Sequence, residues 1–196
     1  MKKSLPPQPL LLPSPVLIIG TYDQEDNPNI MNAAWGGIVC SIPPCISVSL
    51  REATLTYHNI ESAGAFTVNF PSEKYLKEAD YVGIVSGRDH DKFADTGLTP
   101  KKSQLVNAPI VDEFPVALEC KLIKQVSLGL HTMFVGEIVG IIGDEDVLNE
   151  KQHPDIEKVR PIIWGSLGSM GYYGIGDKLG TAFSVGKQLQ KPESDI

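Results

Sequence analysis

Ser49 and Arg51 stand two apart in a segment that alternates cleanly, with Ile46, Val48 and Leu50 on one side and Ser47, Ser49 and Arg51 on the other. A period of two is that of a half-buried strand with one polar face. Thr54 to Ala63 then predicts a short helix, which Thr54 or Thr56 can cap and Gly64 ends. Strand end and helix start together bring hydroxyls, a guanidinium and free helix N-terminal amides to one place. That set suits an anion of one or two charges. An ordinary solvent-facing strand followed by a capped helix has the same pattern. The second place of interest is Asn29-Ile30-Met31-Asn32-Ala33-Ala34-Trp35-Gly36. Small residues around an Asn and a Trp let backbone amides approach the edge of a flat ligand, and a tightly packed strand end fits these residues equally well.

Other chemistries lack their residues. His58, His90, His131 and His153 share no ligand spacing, and neither HExxH nor a Cys/His cluster occurs, so no metal site is expected. GxSxG, the mark of a hydrolase nucleophile elbow, is missing, as are GxGxxG and a Walker-type lysine. Cys120 alternates with Val116, Leu118 and Leu122 and reads as a buried thiol. Cys40, Cys45 and Cys120 are odd in number and form no CxxC, which argues against a disulfide framework and fits a reducing cytoplasm.

Seventeen basic against 24 acidic side chains give a net charge of −7 and no basic stripe. Nucleic-acid partners are therefore not expected, because their affinity comes from Lys and Arg displacing counterions. A single phosphate in a local pocket remains compatible with this charge. Met1-Lys2-Lys3 ahead of Leu10-Leu11-Leu12 imitates a secretory signal, but Pro6, Pro7, Pro9, Pro13 and Pro15 interrupt it. No run approaches the roughly 18 apolar residues of a membrane span.

These residues need elements to hold them. Val16 to Tyr22 is a dense apolar run that predicts a buried strand, followed by a polar turn at 23–29 and a second strand over Ile30 to Trp35 that gives way at Gly36-Gly37. Ala65 to Phe70 alternates again. Ser72 opens a helix with Tyr75, Leu76, Ala79 and Val82 on one side, running out at Gly83. Residues 84–114 read as loop-rich, and spacing alone makes Lys92 an exposed loop lysine. Strands follow over Val116 to Ile123 and Phe134 to Ile142, the latter broken by Gly136 and Gly140, with a last short one over Pro161 to Trp164. The rest reads as mostly irregular. The 18 Gly and 15 Pro suit short strands joined by turns, and the connections are too short for βαβ crossovers. An antiparallel barrel with a few outer helices is the expected architecture.

A set of short motifs occurs in a particular order: Pro15-Val16 leading to Gly20-Thr21, Asn29-x-Met31-Asn32-Ala33-Ala34-Trp35, Pro43-Pro44 and Ser47-x-Ser49-x-Arg51. Thr56, Ile60, Phe66-Thr67-Val68-Asn69, Ala79-Asp80-x-x-Gly83, Ser86-Gly87, Asp91-Lys92-Phe93, Glu119-Cys120 and Gly136-Glu137 follow. In this order they resemble the flavin reductase-like, FMN-binding split-barrel family, above all its flavoredoxin branch, from about residue 13 to about 186. The resemblance implies a mainly β fold, a six-stranded antiparallel split β-barrel with flanking helices. It also implies a homodimer that binds FMN near the subunit interface. Residues 1–14 would form an extended arm, 15–187 the FMN-binding domain and 188–196 a flexible tail. By the same resemblance Ser49, Arg51, Thr56 and Lys92 would contact the FMN phosphate. Met31, Asn32, Ala33 and Ala34 would line the isoalloxazine ring, largely through backbone amides, with Thr54 and Ser86 as further contacts and Trp35 beside the ring. No side chain is expected to act as catalytic acid or base, because the flavin carries the chemistry. The implied function is an oxidoreductase passing electrons from NADH, NADPH or a redox protein through FMN to an acceptor. An electron-transfer protein without nicotinamide turnover and a non-enzymatic flavin-binding module are the alternatives.

Overall fold

The computed structural model of the protein describes residues 1–189; part of the expected tail, 190–196, lies outside the described residues. Residues 1–13 have no regular secondary structure. In chain order the elements are β1 (Ser14–Pro15), β2 (Leu17–Tyr22), β3 (Pro28–Ala33), β4 (Gly36–Ser41), β5 (Pro44–Arg51), α1 (Leu55–Ala63), β6 (Ala65–Phe70), α2 (Leu76–Ile84) and α3 (Lys92–Thr96). Then come β7 (Pro100–Lys102), β8 (Pro109–Val111), β9 (Val116–Leu128), β10 (His131–Gly143), α4 (Ile156–Val159), β11 (Ile163–Gly165) and β12 (Gly171–Tyr173).

The main sheet is antiparallel, in the order β3-β2-β6-β9-β10-β5-β4. It curls on itself: the Ser49 amide of β5 donates to the Trp35 carbonyl just beyond β3, at 2.8 Å. Leu17 and Ile19 of β2, Ile46, Val48 and Leu50 of β5, Phe66 and Val68 of β6, Leu118 of β9 and Phe134 of β10 fill the inside, and Ile60 of α1 joins them. The other face of the β2 region is buried too. Val16, Ile18 and Ile30 pack with Ala79 and Val82 of α2, Phe93 of α3, Val111 and Phe114. Burial on both faces is why β2 reads as an unbroken apolar run rather than an alternating one. Outside this sheet, β1, β11 and β12 form a small sheet and β7 pairs with β8.

Turn and cap chemistry accounts for the local boundaries. Asp23 accepts from the amides of Glu25 and Asn27, each at 2.8 Å, and closes the β2–β3 turn. Thr54 caps α1 by accepting from the Tyr57 amide at 3.3 Å, and Gly64 ends the helix in the left-handed region at φ 63°. A residue without a Cβ adopts that conformation at least cost.

The antiparallel barrel stands, with corrections to its parts. The main sheet has seven strands, not six, because Gly36-Gly37 opens β4 rather than ending a strand. β4 is an edge strand whose Ile38 and Val39 are both exposed. It carries no alternation for a pattern to reveal. β9 runs on to Leu128, because its outer half, with Ile123 and Leu128 exposed, is held by pairing with β10 rather than by burial. The loop-rich 84–114 contains α3, β7 and β8, and the irregular C-terminal region contains β12. Register shifts in β10 fall between Val135 and Gly136 and between Ile138 and Gly140, where glycines interrupt the apolar run.

Candidate functional site

The anion-suited end is built at the start of α1. The Thr54 hydroxyl donates to the Arg51 carbonyl at 2.9 Å while accepting from Tyr57. The first amides of a helix, here those of Leu55 and Thr56, have no intrahelical acceptor and are open to a ligand. Thr56 is buried and accepts from the Asn29 side-chain amide at 3.0 Å, which couples β3 to the helix start. Opposite lies the segment after α2. Ser86 accepts from the Arg88 amide at 3.2 Å, and the Arg88 guanidinium donates to the Ala53 carbonyl at 2.5 Å, drawing this segment against the entry to α1. Gly87 makes the approach possible, since a Cβ there would stand 2.1 Å from Asn29 Oδ1.

Lys92 completes this end. Asp91 caps α3 by accepting from the Ala94 amide at 3.0 Å, which sets Lys92 on the first helical position. The side chain is only 4% exposed, and Nζ donates to the Val82 carbonyl near the C-terminus of α2 at 2.7 Å. An ammonium has three donors, and this bond uses one. Burial pushes the amine down to about 8. Met31, Asn32, Thr54, Thr56, Ser86 and Lys92 all line one cavity of about 230 Å³.

A second hollow of about 250 Å³ shares Asn32, Gly83 and Ile84 with the first. Its walls are more aromatic, with Trp164 and Tyr172 beside Ala34 and Asp80. The Tyr172 hydroxyl donates to Asp80 at 2.8 Å; burial and this carboxylate push the phenol up to about 12, so it stays protonated. Asn32 is pinned between the hollows by donating to the Ala79 carbonyl at 2.9 Å.

The remaining sequence-predicted residues stand elsewhere. Ala33 is buried in the barrel core. Ser49 and Trp35 line a shallow trough of about 430 Å³ whose other walls include Leu10 and Leu11 of the N-terminal arm. Trp35 packs on His131, ring centres 4.6 Å apart. Arg51, at the exposed end of β5, lines neither the cavity nor the adjoining hollow. Lys92 is the reverse case: spacing alone makes it a surface lysine, the resemblance puts it on the phosphate, and its side chain is buried against the cavity. Asn29, Gly87 and Asp80 belong to these walls although the sequence offered them only as parts of motifs. A polar Asn29 beside the apolar Ile30 in a strand was the one available signal. Among the described residues no group of three or more His, Cys, Asp or Glu is arranged to hold a metal ion, and no helix is long and apolar enough to cross a membrane.

Known proteins share this fold. The flavoredoxin of Desulfovibrio vulgaris (Miyazaki F) superposes with a TM-score of 0.91 at 51% identity, covering 95% of this chain and 100% of that one. Flavoredoxin from Methanosarcina acetivorans superposes with a TM-score of 0.90 at 29% identity, covering 97% and 100%. The ferric-chelate reductase (NAD(P)H) of Archaeoglobus fulgidus is 30% identical over 111 residues, 55% of this chain and 64% of that protein. Residues 10–165, which carry the whole barrel and both hollows except Tyr172, match the flavin reductase like domain, and the chain belongs to that family.

Proposed function

We propose that this protein is an FMN-binding oxidoreductase that moves electrons from NADH, NADPH or a reduced redox protein to an acceptor. The observation that carries the reading is Lys92: a buried ammonium with one carbonyl partner and two free donors, facing the open amides of α1 across a cavity. Burying a cation without a counter-charge costs stability, and an anion in that cavity offsets the cost. The neighbouring hollow, lined by Trp164 and Tyr172, suits a ring system joined to that anion. FMN is the cofactor this pair of hollows fits.

When bound, FMN supplies the redox chemistry, accepting a hydride or electrons and passing them on. The residues of this chain bind and orient it. Lys92, Thr56, Thr54, Ser86 and the amides at the start of α1 hold the phosphate. The backbone and side chains of Met31, Asn32 and Ala34 line the ring. Ala33 contributes through its backbone, its methyl group being turned to the core. Ser49 and Arg51, at the end of β5 that leads into the Thr54 cap, line neither hollow and are the outlying members of the phosphate set. Trp35 borders the open side. Fixed donors near the ring favour the charge that develops on reduction, because they need no reorganisation when it appears.

Two donor classes follow from two likenesses. The ferric-chelate reductase supports nicotinamide as donor, whereas the stronger likeness to flavoredoxin supports a protein donor. The protein acts as a homodimer in the cytoplasm. The exposed Leu10, Leu11 and Leu12 of the arm and Leu179, Phe183 and Leu189 of the C-terminal segment support the dimer as apolar surface in want of cover.

Titration of the apo protein with FMN, followed by flavin fluorescence, tests the cofactor; a chain that takes up none refutes the proposal. Anaerobic addition of NADH or NADPH to the yellow holoprotein separates the donors. Bleaching at a catalytic rate selects nicotinamide, and its absence selects a protein donor.

A further inference from the structure

Two cysteines outside the flavin site stand face to face. Cys40 of β4 and Cys45 of β5 are direct register partners, and the next pair, Ser41 with Pro44, closes the turn of the hairpin. Opposite residues in an antiparallel ladder have Cα atoms roughly 4.5–5.5 Å apart, inside the roughly 4.4–6.8 Å that a disulfide spans. Both thiols already point at the same turn. Cys40 Sγ donates to the Ile42 carbonyl at 3.3 Å and Cys45 Sγ to the Pro43 carbonyl at 3.4 Å. The two carbonyls belong to consecutive residues of that turn, so the thiols converge on it from the two strands.

Their exposures differ in a useful way. Cys40 is exposed and Cys45 is buried. Burial, then the charges of Cys40 and Glu137, raise the Cys45 thiol above its ordinary value, so it stays protonated until a neighbour draws it into reaction. Cys120 offers a contrast within the same chain: it lies in the barrel core, burial pushes it up to about 12, and its register partners are Phe66 and Ile138. β4 has β5 as its one neighbour in the main sheet, so a bond between residues 40 and 45 fastens an otherwise free edge.

We propose that Cys40 and Cys45 form a reactive dithiol that exchanges with small-molecule disulfides and closes to a cross-strand disulfide. The Cys40 thiolate attacks one sulfur of the disulfide RSSR, forming a Cys40–S–SR bond and releasing RS⁻, which takes the proton that Cys40 gave up. Cys45 then attacks Cys40 Sγ, forming the Cys40–Cys45 bond and releasing a second RSH that carries the Cys45 proton. In sum two thiols are oxidised, one small disulfide is reduced to two thiols, and no other electron acceptor is needed.

The test uses the full-length holoprotein incubated with oxidised glutathione, then denatured, alkylated and weighed. Of the three thiols in the chain, wild type is expected to keep one, Cys120, and to lose the mass of two hydrogen atoms, reversibly with dithiothreitol. Cys45→Ser should stop at a glutathione adduct on Cys40. Cys40→Ser should remain unmodified at Cys45, and Cys120→Ser should close as wild type does. Three alkylatable thiols in treated wild type, a persistent glutathione adduct on wild-type Cys40, or a Cys40 bond between two chains would each overturn the proposal.

Discussion

Lys92 and Arg51 are two basic residues proposed for one phosphate, and their surroundings are opposite. Lys92 is 4% exposed and leans on a single carbonyl; Arg51 ends β5 in solvent. A charge pair near the surface is weakened by water and salt, whereas the same pair in a low-dielectric wall keeps much more of its Coulomb energy. Arg51 also stays hydrated in the absence of ligand. Lys92 has already given up most of its contact with solvent, so a phosphate that arrives meets a donor with less hydration to lose. The difference teaches that position, not charge, ranks the contacts of this site.

The largest test of that ranking is Lys92→Met. FMN affinity should fall about 10- to 100-fold, in line with roughly 1.5–3 kcal/mol for a hydrogen bond to a charged group, while riboflavin affinity stays as it was. Parallel fluorescence titrations decide; equal losses for both ligands would sink the phosphate assignment. Thr56→Val comes next and probes the floor of the cavity. It strands the buried Asn29 amide, and urea denaturation of the apo protein should show a loss of about 1–3 kcal/mol.

Protonation sharpens the comparison further. The amine of Lys92 sits at about 8 in the folded apo protein against 10.5 ordinarily. Between those values the unfolded chain binds more protons than the folded one, so apo stability should rise with pH across this window. FMN binding runs the other way, since the phosphate needs the charged amine. Its Kd should climb above pH 8 by up to about tenfold per pH unit, and much less in Lys92→Arg. A flat wild-type profile would break the argument. The smallest effect is expected of Arg51→Ala: less than about threefold in FMN affinity, vanishing in 1 M salt. A loss as large as that of Lys92→Met would erase the distinction between the two residues.

Much of this molecule was legible in its residues. The alternation of 45–51 and 65–70, the Thr54 cap and the Gly64 stop are local, and local patterns survive in any context that buries one face. The ordered motifs carried the family and the cofactor. β4 escaped because an edge strand has no buried face to impose a period. The resemblance named Lys92, but its burial could not be read from pattern, because the polar run from Ser86 to Lys92 looks like any solvated loop. Its burial depends on α2 and α3 packing against β3, a contact between distant segments. The Cys40–Cys45 pairing was hidden in a similar way: an odd count argued against disulfides in general, and only strand register sets two of the three face to face.

The sequence by itself therefore determined the strands with a buried face, the start and stop of α1 and the polar residue types from which an anion site is made, because these follow from side-chain chemistry at short range. Which of those residues share a cavity was decided by the tertiary structure alone. The closing of the sheet and the docking of α2 and α3 bring Asn29, Thr56, Ser86 and Lys92 together, and leave Arg51 in water.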